Sequence, residues 1–158
     1  MPSTLDSYDL KLLAAIQADA RTPQNELGEA INLSTAAVNR RLKRLSDEGV
    51  IERYSAVLSP EALGFGLTII ANIEVESEQL DQLDATRRSF EACPYIQQCY
   101  YVAGEWDFIL IFVVQSMAQY NELTRELFFG NANVKRFKTY VALSRDKVGV
   151  SLPVPQSV

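Results

Sequence analysis

The sequence of 158 residues predicts an α+β protein in two parts, a three-helix unit followed by a unit with the element order βαββαβ. In the first part, three successive segments carry apolar residues at helical spacing, each with its own start or stop signal. In the second part, segments with a period of two alternate with two helical patterns. We expect residues 1–54 and 67–145 to form the two domains, with a hinge at 55–66 and a C-terminal tail at 146–158.

The first part reads as three helices and a short extended segment. Asp6 is expected to cap the first helix, and Thr22 followed by proline marks the start of the second. Ser34 is expected to cap the third, which Gly49 ends in a left-handed conformation. The extended segment holds Val50, Ile51 and Tyr54. This order of elements is that of a winged helix-turn-helix.

A cluster of positive charge lies in the third helix of an acidic chain. Arg40, Arg41, Lys43 and Arg44 fall within five residues, although the chain has a formal net charge of −5. An attraction to nucleic acid must therefore come from one face of the first domain. The opposite side of the helix is apolar and should face the core, through Val38, Leu42 and Leu45.

The exposed side of the third helix is our candidate for contact with double-stranded DNA. Arg40 and Asn39 suit base edges, because each can form two hydrogen bonds with guanine and adenine respectively. Lys43 and Arg44 suit phosphates. Arg41 lies between the faces and could contact phosphate or pair with an acidic neighbour. The full set of predicted DNA-binding residues is Ser34, Thr35, Ala36, Asn39, Arg40, Lys43 and Arg44. The alternative is a solvated helix face with surface ion pairs.

The second part alternates strands and helices. Leu67–Val75 has a period of two, and Phe108–Val114 is apolar at every position, so both of its faces should be covered. Further strands are expected at residues 99–103 and 134–143. The helices between them carry Leu80, Leu83, Arg87 and Phe90 in one case, and Met117, Tyr120, Leu123 and Leu127 in the other. The order βαββαβ is ferredoxin-like.

Such a sheet carries its helices on one face and leaves the other bare. That face is expected to be apolar here, which predicts at least a symmetric homodimer. The hinge is expected to contain a single helical turn that starts at Ser59-Pro60-Glu61 and is ended by Gly64 and Gly66. The tail is proline-containing and either extends onto a neighbouring copy or is disordered.

Several classes of protein are disfavoured by what the sequence lacks. It has no histidine, no phosphate-cradling glycine loop and no nucleophile motif, so we do not expect an enzyme, a cofactor or a metal site. Cys93 and Cys99 lack metal-ligand spacing and suit two reduced thiols. No apolar run approaches about 18 residues, and the N-terminus lacks signal-peptide features, so we expect a cytoplasmic protein without a membrane segment. An aromatic platform for RNA is the alternative for four strand residues, Tyr100, Tyr101, Phe108 and Phe112.

Taken together, the motifs resemble the Lrp/AsnC (feast/famine) family of transcription regulators over roughly residues 4–145. In the first domain the residues that carry the resemblance are Leu5-Asp6-x-x-Asp9, Asp19-Ala20-Arg21, Leu33-Ser34, Arg41-Leu42-x-x-Leu45 and Gly49-Val50-Ile51. In the second they are Gly104-x-x-Asp107 and Thr139-Tyr140-Val141. The chain departs from the family at Asn32, where glycine is common, and at Glu105 and Trp106.

The resemblance implies a dimer that can assemble to an octamer and a small effector, commonly an amino acid, bound between subunits. It places the effector at Gly104, Glu105, Trp106 and Asp107, with Tyr140, Val141 and Ala142 nearby. Turn statistics alone would make Gly104–Asp107 a plain hairpin. We therefore expect a sequence-specific DNA-binding transcriptional regulator modulated by such an effector. The alternative is a ligand-binding or assembly protein with a vestigial DNA-binding domain.

Overall fold

The computed structural model describes residues 4–155. The chain divides into two compact units. One runs through Val57 and includes the tail from Gly149, and the other is Leu58–Val148. Each unit has its own apolar core.

The first unit contains three helices, α1 (Ser7–Ala18), α2 (Gln24–Ile31) and α3 (Thr35–Asp47). Asp6 caps α1 as predicted, because its side chain accepts hydrogen bonds from the N–H groups of Tyr8 and Asp9. Gly49 has the predicted left-handed φ of 74° after α3. The core between the helices consists of Leu12, Ile16, Leu27, Ile31 and Val38.

Two details of the first unit differ from the sequence prediction. The Thr22 hydroxyl does not cap α2 but donates to the Asp19 carbonyl oxygen at 3.0 Å, so the helix begins one residue later with Pro23 at its cap. The extended segment after α3 pairs with no strand in residues 4–155. Its first two N–H groups, at Val50 and Ile51, instead donate to the Leu45 carbonyl oxygen and close the end of α3.

The second unit is a four-stranded antiparallel sheet with helices on one face. It begins with a single 3-10 turn, Glu61–Leu63, which confirms the turn predicted in the hinge. The strands lie in the order β2-β3-β1-β4, which is the ferredoxin-like arrangement. The elements are β1 (Leu67–Val75), α4 (Leu80–Glu91), β2 (Ile96–Tyr101), β3 (Phe108–Val114), α5 (Met117–Thr124), a π-helical turn (Arg125–Phe129) and β4 (Val134–Val141).

Three elements of this unit, β2, α4 and β4, differ in part from the sequence prediction. β2 begins at Ile96, three residues earlier than predicted, because Ile96 already pairs with Phe112. It also ends earlier, since the Val102 N–H turns to the Asp107 carbonyl oxygen. In α4, Phe90 is fully buried as expected, but Leu80 is 78% exposed at the start of the helix. β4 ends at Val141 and not at residue 143.

The helix-covered face of the sheet forms the main core. Alternate residues of β1, from Ile69 to Val75, are buried there, as the period of two predicts. Phe90 and Phe128 pack edge to face on this side, with ring centroids 6.1 Å apart. The buried strand residues of this core are Ile69, Ala71, Ile73, Val75, Phe108, Leu110, Phe112 and Val114.

No helix within residues 4–155 covers the other face of the sheet. The strand register places Ile70, Ile109 and Ile111 together near its centre, and all three are half-buried in the single chain. The expectation of an apolar face is wrong outside this centre, because polar residues share the face. These are Thr68, Asn72, Glu74, Gln98, Arg136 and Lys138, with the aromatic Tyr100 and Tyr140.

The tail returns to the first unit and packs on α1. The Gln17 side chain bonds the backbone of Leu152 in both directions: its amide donates to the Leu152 carbonyl oxygen at 2.6 Å, and its oxygen accepts from the Leu152 N–H at 2.9 Å. The tail is therefore attached to its own chain at Leu152, and residues 156–158 of the predicted tail lie outside the described residues.

Candidate DNA-binding surface and effector loop

The recognition helix α3 is positioned by a close approach of two backbone segments. Asn32 takes a left-handed conformation, with φ 58° and ψ 45°, at the end of α2. The Leu33 N–H then donates to the Gly28 carbonyl oxygen at 2.9 Å. A Cβ atom on Gly28 would lie 2.4 Å from the Leu33 carbonyl oxygen, so this turn requires glycine at position 28.

The start of α3 and its buried side are as the sequence predicts. The Ser34 hydroxyl accepts the Ala37 N–H at 3.2 Å and caps the helix. Val38 and Leu45 are fully buried, and Leu42 packs against the core. These contacts fix which side of α3 faces solvent. The predicted DNA-binding residues that are exposed are Ser34, Thr35, Ala36, Asn39, Arg40 and Lys43.

Arg44 is the exception among the predicted DNA-binding residues. Its guanidinium Nη2 lies 2.6 Å from Oδ2 of Asp9, whose side chain is fully buried at the start of α1. Arg41 pairs with both Asp6 at 2.7 Å and Asp9 at 2.8 Å, and its guanidinium lies 5.5 Å from the centre of the Tyr8 ring. Of the two options left open for Arg41, the structure shows pairing with acidic neighbours.

These pairings fix the charge state of the two carboxyl groups. For Asp6, the hydrogen bond from the Asp9 N–H, followed by that from Arg41, holds the pKa below its usual range. For Asp9, burial opposes ionisation, but hydrogen bonds from Arg44, from the Asp6 N–H and from Arg41 outweigh it, so its pKa is also lowered. Both groups are therefore carboxylates near neutral pH, which keeps them available to hold the two arginines.

A groove of about 430 Å³ runs beside the exposed side of α3. Asn39 and Lys43 of α3 line this groove together with polar residues of other segments. These are Thr22, which precedes α2, Gln24, which begins it, and Tyr54, which follows α3. Tyr54 is 54% exposed. No sequence signal predicts a binding role for these three residues, and only the fold shows that they lie beside α3. The full lining is Ile16, Ala20, Thr22, Gln24, Leu27, Asn39, Leu42, Lys43, Ser46 and Tyr54.

In the second unit, Asp107 fixes the loop between β2 and β3. Its Oδ2 accepts the Val75 N–H at 2.7 Å, and its own N–H donates to the Ile73 carbonyl oxygen at 2.8 Å. One carboxylate oxygen is thus engaged at the end of β1. The adjacent Glu105 side chain is 70% exposed, so it is the more available carboxylate of the two.

The same loop is joined to β4 by Arg136. The Arg136 guanidinium lies 4.7 Å from the centre of the Trp106 ring and 3.6 Å from the Glu105 carboxylate. It also pairs with Glu74, to which Lys135 donates at 2.7 Å. Hydrogen bonds from Lys135 and Arg136 lower the pKa of Glu74. The loop therefore presents an aromatic ring and a cation beside an exposed carboxylate.

The structure does not bring the two predicted parts of the effector site together within one chain. Tyr140 pairs with Ile70 and Val141 with Ile69, and the Ala142 N–H donates to the Thr68 carbonyl oxygen. Arg136, beside the loop, is four residues away along β4, which corresponds to about 13 Å at the usual rise of a strand.

A second groove, of about 460 Å³, lies at the β4 edge of the sheet near the loop. Phe129, which is 74% exposed, and the backbone turn before β4 form one wall. The sequence did not predict it, because it depends on a π-helical turn that no spacing signals. Its lining is Phe128, Phe129, Asn131, Ala132, Val134, Lys135, Arg136 and Phe137.

Residues 4–155 hold neither a metal-binding cluster nor a membrane-spanning helix. No group of three or more His, Cys, Asp and Glu side chains is placed to hold a metal ion there. No helix in that part of the chain is long and apolar enough to cross a membrane.

Two stretches of the chain match known families. Residues 5–52 match the family described as winged helix-turn-helix DNA-binding, and residues 68–151 match the Lrp/AsnC ligand binding domain. The chain belongs to the Lrp/AsnC family. It is a helix-turn-helix DNA-binding transcriptional regulator with a C-terminal ligand-binding domain, which confirms the resemblance seen in the sequence.

Individual Lrp/AsnC proteins support this placement over nearly the whole chain. An HTH-type transcriptional regulator of Sinorhizobium fredii is 39% identical over 150 residues, which are 95% of this chain and 89% of the relative. A regulator of Neisseria meningitidis, solved as a complex with L-methionine, superposes with a TM-score of 0.88 at 29% identity, over 95% of this chain and 97% of that one. A feast or famine regulatory protein of M. tuberculosis, complexed with L-methionine, gives 0.85 at 30% identity over 96% and 100%.

Proposed function

We propose that this Lrp/AsnC regulator reads DNA through the exposed side of α3 and responds to an amino acid bound beside the Gly104–Asp107 loop. The observation that carries the DNA part is the position of Arg40 and Asn39, which are exposed on a helix whose opposite side is fixed in the core. Arginine and asparagine are the side chains best suited to guanine and adenine edges.

The remaining DNA contacts follow from the same surface. Lys43 is exposed one turn from Arg40 and has the reach and charge for a phosphate. Ser34, Thr35 and Ala36 lie at the start of α3, where helix N–H groups favour a phosphate. Tyr54, Thr22 and Gln24 border the groove beside Asn39 and add hydrogen-bond donors there. In a dimer, paired α3 helices would enter successive major grooves about one helical turn apart.

The effector proposal rests on the loop and on the two relatives solved with L-methionine. Glu105 is the exposed carboxylate that suits the ammonium of an amino acid, because a charge-assisted hydrogen bond is stronger than a neutral one. Asp107 holds the loop in place through the Val75 N–H. Trp106 and Arg136 lie beside Glu105, so they would shape the part of the pocket that receives the ligand side chain.

The assembly proposal rests on the uncovered sheet face. Ile70, Ile109 and Ile111 form an apolar centre there, with tyrosines on both sides. A second copy of the same face would bury this centre, as symmetric dimers commonly do. Tyr140, Val141 and Ala142 would then meet the effector loop of another subunit, in a dimer or in a larger assembly such as an octamer. We place the protein in the cytoplasm, where its DNA would be.

The test is a selection of duplexes from a random pool with the wild-type protein and with Arg40→Ala. The wild type should enrich one sequence, and Arg40→Ala should lose preference at one base position with a cost of about 1–3 kcal/mol. Equal weakening on every sequence would assign Arg40 to phosphate. No enrichment by the wild type would favour the alternative, a ligand-binding or assembly protein with a vestigial DNA-binding domain.

A further inference from the structure

We propose that Asp9, supported by Asp6, determines DNA specificity by keeping Arg41 and Arg44 away from DNA phosphates. Not all of the positive charge on α3 is available to DNA. The helix carries four cations within five residues, but the structure divides them into two exposed cations and two paired ones. The DNA-facing charge of α3 is therefore about half of what the sequence presents.

The two exposed cations are Arg40 and Lys43. Both side chains face solvent, and neither has an ion pair with another residue of the described chain. They lie on the side of α3 that also carries Asn39. These are the cations that a DNA duplex can reach without breaking any contact in the protein.

The two paired cations are held by one buried carboxylate. Oδ1 of Asp9 lies 2.8 Å from Arg41 and its Oδ2 lies 2.6 Å from Arg44, while Asp6 adds a second contact to Arg41 at 2.7 Å. The side chains of Arg41 and Arg44 are only 24% and 34% exposed. The capping box of α1 thus serves as the anchor for two arginines of the recognition helix.

Transfer of Arg44 from Asp9 to a DNA phosphate would be unfavourable because Asp9 is buried. The Asp9 side chain has no exposure at all, so loss of its partner would leave a buried carboxylate with one cation fewer. Uncompensated buried charge is strongly destabilising, whereas a phosphate contact exchanges one solvated partner for another. The Asp9 pair is therefore expected to persist when DNA binds.

The division of the four cations into exposed and paired ones favours specific over non-specific DNA binding. Each cation that neutralises a phosphate releases counterions and strengthens binding to any sequence, whereas base contacts strengthen binding to the operator only. With two cations withheld, α3 contributes fewer sequence-independent contacts. The ratio of specific to non-specific affinity is then higher than the charge of the helix would suggest.

The test compares Lys43→Gln with Arg44→Gln, which remove equal charge from adjacent positions. For each variant, the affinity for a random duplex is measured by fluorescence anisotropy at several salt concentrations. Lys43→Gln should reduce the slope of log K against log salt by about 0.9 for each DNA-binding unit, as expected for one lost phosphate contact. Arg44→Gln should leave the slope unchanged. An equal reduction by Arg44→Gln would overturn the proposal.

A second arm releases the arginines. Asp9→Asn removes the anchoring charge, so the slope should become steeper by about 1–2 for each unit and affinity for random DNA should rise. Adding Arg44→Gln to Asp9→Asn should reverse part of that rise, because the released Arg44 causes it. An unchanged slope in a folded Asp9→Asn protein would contradict the proposal. If Asp9→Asn does not fold, which circular dichroism would reveal, the Lys43 and Arg44 comparison still decides.

Discussion

The Arg136 guanidinium lies 4.7 Å from the centre of the Trp106 ring, and it also pairs with Glu74 and Glu105. This contact joins the loop before β3 to the start of β4. A cation above an indole ring is attracted to the ring face, so this contact helps to hold the loop beside β4. A ligand that competes for Glu105 or Arg136 would change the surroundings of the indole.

Trp106 is the single tryptophan of the chain, so its fluorescence reports on the loop alone. We expect a saturable change in intensity or emission maximum when L-methionine or another amino acid of matching shape is added. Arg136→Ala, as a control, should shift the emission of the free protein because it removes the stacked cation. A signal that stays constant with each of the twenty amino acids would argue against an effector at this loop.

Asp107 should be required for the folded conformation of the loop, whether or not a ligand is bound. Asp107→Ala leaves the partly buried Val75 N–H without its acceptor at 2.7 Å, which should lower the free energy of unfolding by about 1–3 kcal/mol. Asp107→Asn retains an acceptor oxygen and should cost less. Urea unfolding measures both, and equal stability of the alanine variant and the wild type would refute the contact.

Separately, Glu105→Gln should weaken the fluorescence response to amino acids while leaving stability unchanged.

The Asp9 carboxylate should make the first unit sensitive to acid. The pKa of Asp9 is lower in the folded protein than in the unfolded chain. The Asp9 charge therefore stabilises the fold fully above the unfolded pKa of about 3.9, and this contribution is lost as the pH falls through the lower pKa of the folded state. Asp9→Asn should cost about 3 kcal/mol at pH 7, the lower end for a broken buried pair, because both arginines remain partly solvated.

The wild type and Asp9→Asn are unfolded with urea at several pH values from 7 down to 3. Comparing the two proteins separates the contribution of Asp9 from those of the other carboxylates with a lowered pKa. The difference in stability between the two proteins should shrink below about pH 4. A difference that is constant across this range would mean that the Asp9 charge does not stabilise the fold.

Gly28 should tolerate no side chain. A Cβ atom there would meet the Leu33 carbonyl oxygen at 2.4 Å, and backbone cannot move aside as a flexible side chain can. Gly28→Ala should lower stability by about 1–3 kcal/mol, in the range of overpacked sites, and should weaken DNA binding because the turn positions α3. Gly66→Ala is the matched control, since nothing lies within 4 Å of a Cβ there. Equal melting curves for the two variants would show that the turn adapts.

The uncovered sheet face should mediate self-association. Ile111→Glu places a charge at its apolar centre and should convert dimers to monomers, because a desolvated unpaired charge is unfavourable. Leu80→Glu adds the same charge at a position that is 78% exposed on the opposite, helix-covered side and should leave the mass unchanged. Light scattering after size-exclusion chromatography measures both. A monomeric wild type, or an Ile111→Glu dimer, would exclude this face.

Much of the fold could be predicted from the sequence because its signals are local. The cap at Ser34, the stop at Gly49 and the period of two in β1 each depend on a few neighbouring residues, and all three are observed. The missing strand after α3 shows the limit of such signals. Val50 and Ile51 are good strand residues, but their N–H groups satisfy the end of the helix.

The contacts that the sequence could not show join distant residues. The sequence favours Arg44 as a phosphate ligand because the carboxylate that holds it in the fold, Asp9, lies 35 positions away along the chain. Gln17 and the backbone of Leu152 are 135 positions apart. Tyr140 was grouped with the loop by family resemblance, but the strand register places it at another level of the sheet. Position along the chain carries no information about such pairs.

The most direct measurement is a fluorescence-anisotropy titration against the DNA upstream of the protein's own gene, at two salt concentrations, with and without a pool of amino acids. The proposed function predicts tight binding that weakens with salt, exceeds binding to random DNA by at least about 10³-fold, and shifts when the pool is added. Binding to both DNAs with equal affinity at each salt concentration, unchanged by the pool, would contradict it.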